Sequence, residues 1–172
     1  MTMQAMPDDL ADWIGVLLIT SDAAAVVEHG AIQGFAAAIE DGNPLYWDEQ
    51  AAKPITGGII APPALLSAWT RPDRWSPAAV SVARPLELHF RLKERLGYPN
   101  AIVASASTEY LEPARPGDRI CAEQQLAQLG PVVETRLGKG RYWTLLVHYR
   151  RDDGELLGTE SLTFFGYGKK AR

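Results

Sequence analysis

The segment Arg-Tyr-Trp-Thr-Leu-Leu-Val-His-Tyr-Arg at 141–150 constrains the fold more than any other part of the chain. Trp143, Leu145, Val147 and Tyr149 recur at every second position, so an extended backbone places all four on one face. Asp152-Asp153-Gly154 follows as a hairpin turn, and residues 155–166 supply a return strand. Residues 118–129, entered through a Pro116-Gly117 turn, alternate less cleanly and predict a further strand. Residues 101–111 predict another, with Ile102, Ala104, Ala106 and Tyr110 on one side.

Helical patterns precede these strands. Residues 29–40 space Ile32, Phe35, Ala36 and Ile39 by three and four, one apolar helical face that is expected to stop at Asp41-Gly42, before Asn43-Pro44. Residues 64–70 lie between Pro62-Pro63 and Pro72, room for about two helical turns. Residues 85–96 open on Pro and end before Gly97, with Leu88, Leu92 and Leu96 as the apolar stripe and Glu87 and Arg91 an i,i+4 pair. Residues 13–20 are short and β-branched, a strand or an entering segment. Helices early and long antiparallel strands late give an α+β class, not a wound βαβ sheet.

Composition narrows the function classes. The 172 residues fit a single domain, 1–172, with 1–12 expected as a flexible N-terminus. A 47% apolar and 22% charged chain is an ordinary globular one. A net charge of −4 with scattered basic residues excludes the basic face a nucleic-acid binder needs. The apolar stretch Trp13–Ile19 is short and preceded by Asp8, Asp9 and Asp12, unlike a secretory signal or a membrane span, so a cytoplasmic chain without membrane contact is expected. The single cysteine, Cys121, excludes an internal disulfide and reads as a small hydrophobe in a strand.

The histidines carry no metal pattern. His148 falls on the strand face opposite Trp143, His89 on the 85–96 helix as a surface or packing residue, and His29 near a helix start; none has a second ligand at metal spacing. The segment Trp69–Trp75, with its paired Trp and Arg, reads as a subunit interface or as a surface loop packed by its own aromatics, the interface being favoured. The densest polar cluster is Asp41-Gly42-Asn43-Pro44-Leu45-Tyr46-Trp47-Asp48. It is a helix C-cap and an Asn-Pro turn, and it also gathers Asp41, Tyr46 and Asp48 just past a helix end, where a carboxylate can accept a proton or orient an acceptor.

Residues 35–66, joining that cluster to Ile59-Ile60-Ala61-Pro62-Pro63, resemble the MaoC-like acyl-CoA hydratases and dehydratases of the hot-dog fold. Residues 108–129, with Arg115-Pro116-Gly117-Asp118, and the hairpin at 152–160 are similar to later parts of the same family. The resemblance implies a curved antiparallel sheet wrapped around a central helix, an acyl-CoA thioester as substrate and no cofactor. It places the family's catalytic Asp at Asp41 and its His at Tyr46, whose phenol titrates near 10 and is a poor base at neutral pH. It also places Pro63 where the family has a glycine whose N–H stabilises the thioester oxyanion, and proline has no N–H to give.

That double loss resembles the non-catalytic N-terminal-type half of the family, with Asp41, Asn43, Tyr46 and Asp48 as a degenerate site and Asp41, Tyr46 and Ala61 contacting substrate. The implied function is the non-catalytic subunit of a heteromeric enoyl-CoA hydratase. Its partner, in a heterodimer or heterotetramer, is a catalytic hot-dog chain carrying the Asp and His. The short helix at 64–70 and the extra helix at 85–96 resemble subunits that act on bulky, steroid-type acyl groups. Two alternatives stand beside it: a homodimeric hydratase or dehydratase using Asp41 and Tyr46, and a thioester-binding hot-dog protein without hydration chemistry. Gly138-Lys139-Gly140-Arg141 lacks the spacing of a phosphate loop and reads as a hairpin turn, from which Lys139 and Arg141 can reach a CoA phosphate.

Overall fold

Trp143, Leu145, Val147 and Tyr149 do share one buried face. The structure, a computed structural model, describes residues 2–3, 9–22, 25–72, 77 and 84–168. Its elements are β1 (Thr2–Met3), β2 (Leu17–Ser21), α1 (His29–Ala38), α2 (Pro44–Trp47), α3 (Glu49–Thr56), a central 3-10 helix (Pro63–Thr70), α4 (Glu87–Arg95), β3 (Asn100–Tyr110), β4 (Ile120–Thr135), β5 (Gly138–Arg151) and β6 (Leu156–Tyr167). A short 3-10 turn, Leu10–Trp13, buries Trp13 under an Asp9 cap. Of the expected flexible N-terminus, residues 2–3 pair with β2 and 9–12 form this turn, while 1 and 4–8 lie outside the described residues.

Among the described residues six strands form one antiparallel sheet, in the order β1-β2-β4-β5-β6-β3. The β5–β6 hairpin turns at Asp152-Asp153 with Gly154 at φ 91°, as its sequence requires. The Arg115–Asp118 turn is also as expected. Asp118 N–H donates to Arg115 O, Arg115 N–H returns to Asp118 Oδ2 at 2.8 Å, and Gly117 and Val27 tie the turn to the chain before α1. Arg151 pairs with Asp118 and Glu155 and donates to Pro113 O, fastening the same turn to the end of β5.

One face of the sheet carries two buried clusters. The first packs α1, Tyr46, Ala52 and the central helix (Leu66, Trp69) on Ile120, Val147 and Tyr149. The second packs α4 on Leu126, Trp143 and Leu145, with Leu88 and Leu92 fully buried, about 1.5–3 kcal/mol each. α4 has no side-chain cap of its own. The fully buried Gln124 of β4 accepts from Leu88 N–H at 3.0 Å, so the sheet itself satisfies that helix start. The central helix comes close enough to β6 that a Cβ at Gly158 would lie 2.6 Å from Glu109 O and 2.8 Å from Leu66 Cδ2.

Three expectations are corrected here. The hairpin turn assigned to Gly138–Arg141 lies at Arg136-Leu137 instead, because Thr135 Oγ1 accepts from Leu137 N–H and donates to Gly138 O, closing the turn before the glycines. Gly140 serves packing: any Cβ there would collide with Gly166 O of β6. Helix α1 ends at Ala38, earlier than Asp41-Gly42, with Glu40 in the left-handed region at φ 57°. Glu40 N–H donates to Ala37 O and Asp41 N–H to Ala36 O, a Schellman closure whose left-handed residue is not glycine. The third concerns β3, whose predicted apolar side is not buried: Ile102, Ala104, Ala106 and Tyr110 are all exposed, since among the described residues β3 is an edge strand paired with β6 alone. Residues 73–75 of the expected Trp-rich interface lie outside the described residues, and Trp69 is buried in the first cluster.

Candidate functional site

The Schellman closure fixes Asp41 at the mouth of the polar cluster, and each polar side chain after it then organises local backbone. Asp41 Oδ1 accepts from Asn43 N–H at 3.0 Å, and its carbonyl accepts from Trp47 Nε1 at 2.8 Å. Asn43 Oδ1 accepts from Leu45 N–H, capping α2, whose first residue is Pro44. Asp48 Oδ1 accepts from Gln50 and Ala51 N–H, capping α3. Tyr46 alone turns inward. It is buried, and burial followed by the nearby Asp41 carboxylate pushes its phenol up, against a smaller opposing effect of Asn43. The cluster thus brings Asp41, Asn43 and Tyr46 together, while the Asp48 carboxylate is exposed and spent on α3. A phenol held protonated can donate a hydrogen bond but cannot take a proton from water.

Past α3, Glu49 Oε2 accepts from Ile59 N–H, and Gly57 and Gly58 turn the chain at positive φ towards Ala61. Ala61 is buried and its N–H is already committed to Ala114 O at 2.7 Å. The central helix then opens on Pro62-Pro63, two successive residues without an N–H, at the edge of an apolar cavity of about 300 Å³ that Ala61, Leu66 and Tyr110 also line. Lys139 and Arg141 lie elsewhere, at the opposite end of β5 from Tyr149, about 33 Å and about 26 Å along the strand respectively. Arg141 Nε donates to Gly130 O at 2.7 Å, and its side chain lines a groove with Asp9, Leu10 and Arg95.

The sequence reading missed the residues beneath the central helix. There Tyr149 donates its hydroxyl to Glu160 Oε2 at 2.6 Å, beside a cavity of about 270 Å³. Burial, followed by Glu160, pushes the Tyr149 phenol far up and keeps it a donor. The available signal was Glu160 itself, a charge in the β6 row that Leu162 and Phe164 continue inward. His89 is likewise interior, stacked on Phe164 at 4.0 Å and lowered to about 4 by burial and then Lys93. It lines a further cavity of about 630 Å³. His148 sits half-buried, bonded to Thr159 and Gln125, and His29 is exposed at the start of α1. Among the described residues no group of three His, Cys, Asp or Glu side chains is arranged to hold a metal ion. No helix among them is long and apolar enough to cross a membrane.

The family model for the FAS1-like dehydratase domain region matches residues 12–158. The chain belongs to this MaoC-like dehydratase family. A probable enoyl-CoA hydratase alpha subunit of Thermomonospora curvata is 33% identical over 134 residues, covering 75% of this chain and 41% of that protein. The 3-oxo-4,17-pregnadiene-20-carboxyl-CoA hydratase alpha subunit of Mycobacterium tuberculosis is 28% identical over 123 residues, 71% of this chain and 38% of that protein. The chain therefore spans about two fifths of the length of these curated relatives. Among solved structures, the ChsH1-ChsH2 complex of M. tuberculosis superposes with a TM-score of 0.73 at 23% identity, over 90% of this chain and 85% of that one. A MaoC-like dehydratase of Rhodospirillum rubrum follows at 0.58 and 20%, over 94% and 98%. The fold is the α+β hot dog expected from the sequence.

Proposed function

We propose that this chain is the non-catalytic hot-dog subunit of a heteromeric enoyl-CoA hydratase, which adds water to a 2-enoyl-CoA thioester. One observation carries the reading: both chemical requirements fail within one stretch of chain, at Tyr46 and at Pro62-Pro63, whose neighbours Ala61 and Leu66 share the buried cluster of Tyr46. Hydration needs a base to deprotonate water and donors to hold the negative charge that develops on the thioester oxygen. Where the family's base would stand, burial and the Asp41 carboxylate keep the Tyr46 phenol protonated. Where its donor would stand, Pro62-Pro63 offer no N–H, and loss of one such donor costs about 10²–10³ in rate.

The partner is a second hot-dog chain with Asp-x-Asn-Pro-x-His, which supplies base and donor. The open edge of β3 gives a strand for it to adjoin, and pairing there would cover Ile102, Val103 and Tyr110. The names of the curated relatives, both hydratase alpha subunits, support the assignment, as does the likeness to a two-chain complex. No cofactor is required, since acyl-CoA is the substrate and water the co-reactant. The short central helix leaves room for a bulky, steroid-type acyl group.

Loss of the enoyl absorbance of a 2-enoyl-CoA, followed with the chain alone and with a partner carrying Asp-x-Asn-Pro-x-His, tests this. Turnover only with the partner is the expected result. Hydration by the lone chain would overturn it.

A further inference from the structure

The cavity beneath the central helix has a polar wall that hydration does not use. Ser67, Arg71, Val147, Tyr149, Glu160 and Leu162 are among the side chains that enclose its roughly 270 Å³. Glu160 occupies a core-facing position of β6, opposite Val147 of β5. Its Oε2 takes the Tyr149 hydroxyl at 2.6 Å, and the nearby Ser67 hydroxyl and Arg71 charge act on the same phenol. The phenol proton is therefore committed, whereas Glu160 Oε1 accepts no hydrogen bond from any described residue.

The larger, 630 Å³ cavity shares Arg71, Pro85 and Leu86 with the first and is walled by Phe90, Ile102 and Phe164. That volume lies within the range of small-molecule sites, about 300–1,000 Å³. The smaller cavity thus holds one acceptor left over at its wall, and the wider space lies beyond the Arg71, Pro85 and Leu86 that line both. A group that fills the space and brings an O–H satisfies that acceptor. A bare hydrocarbon would strip water from it without replacement, and a ketone would set oxygen against oxygen. An ammonium would meet the Arg71 charge, whereas a hydroxyl also has lone pairs to offer that guanidinium.

Resting on the hydratase-subunit reading for its thioester end, we propose that these cavities hold a rigid apolar acyl group bearing a hydroxyl remote from the thioester, which donates to Glu160 Oε1. Glu160 is then a specificity-determining residue, with Tyr149 occupying only its other oxygen.

Three probes that differ by one oxygen test this on the full chain: cholanate, without ring oxygen; lithocholate, with one ring hydroxyl; and dehydrolithocholate, where that hydroxyl is a ketone. Binding is read by quenching of tryptophan fluorescence, Trp69 and Trp143 being part of the surrounding core. Lithocholate is expected to bind about 10- to 100-fold more tightly than the other two, the equivalent of one unpaired buried acceptor. Glu160→Gln substitutes an amide that can donate, and should reverse the preference in favour of the ketone. Tyr149→Phe leaves the carboxylate in place and should keep the hydroxyl preference, which provides the test if Glu160→Gln does not fold. Equal binding of the three probes, absence of binding, or an unchanged preference in folded Glu160→Gln overturns the proposal; so does loss of the preference in Tyr149→Phe when Glu160→Gln is unfolded. Hydration with the partner is scored separately. Its failure with the preference intact sinks the subunit reading alone, and the converse sinks only the Glu160 assignment.

Discussion

The 41–48 loop and the space beneath the central helix both hold carboxylates, and they use them in opposite ways. In the loop, Asp41, Asn43 and Asp48 each accept from backbone N–H groups two or three residues away, bonds that shape turns and helix starts. Beneath the helix, Tyr149 and Glu160 bond across two strands, with a cavity before them. On the proposed reading, a family motif serves as scaffolding, while a position outside that motif carries the chemical selectivity. Substitutions around the cavities should therefore show large effects or effects on ligand choice, and those in the loop small effects on stability alone.

His89 gives the largest expected effect on the cavity side. Its pKa is lowered to about 4 in the folded chain, whereas the unfolded side chain titrates near 6.5. Below pH 6.5 the unfolded state binds a proton that the folded state refuses, so stability is full above that pH and falls as pH drops towards 4. This one group should cost about 2–3 kcal/mol at pH 4.5 relative to pH 7. Urea titrations of the wild type and of His89→Phe at the two pH values check it, the variant lacking that part of the loss.

Gly158→Ala drives a Cβ into Glu109 O and Leu66, and should destabilise by about 1–3 kcal/mol in a thermal or urea melt. Leu86→Trp, at a position that lines both cavities, should raise KM for a bulky enoyl-CoA about tenfold in the assembled enzyme, roughly 1.4 kcal/mol, and leave crotonyl-CoA unaffected. A matched loss for both substrates would dissolve the distinction between the two regions.

On the loop side, Asp48→Ala removes the α3 cap and should cost about 1 kcal/mol in urea, with kcat of the assembled enzyme unchanged. Glu40→Gly relieves the left-handed residue at the cost of a freer unfolded chain and should stabilise by about 0.5 kcal/mol in a urea melt, the smallest expected change. A fall in kcat with Asp48→Ala would show that the loop still takes part in the chemistry.

Where local pattern and tertiary environment agree, the sequence is readable. The alternation at 141–150, the Asp152-Asp153-Gly154 turn, the 85–96 helix and the Arg115–Asp118 turn all appear at the expected places. Helix α3 was invisible because Pro54 lies inside it and polar residues surround it; Asp48 and the packing of Ala52 hold it. The pair at 138 and 140 misled because a glycine demanded by a neighbouring strand looks the same as one demanded by a turn. At the candidate site, the phenol of Tyr46 and the absent N–H of Pro63 are legible from residue identity alone, whatever the surrounding geometry. Glu160 could not, because its role depends on Tyr149 lying across the hairpin and on the central helix stopping short of filling the space.

The open side of β3 has a bearing on how this protein must be made. Eleven residues of extended backbone have one edge without a partner among the described residues, with Ile102, Val103 and Tyr110 uncovered along it. Such an edge recruits further copies of itself as readily as a proper neighbour. If the proposed partner is that neighbour, synthesis in excess over it favours aggregation, and the yield of this chain is tied to balanced dosage of two products and to their assembly soon after translation.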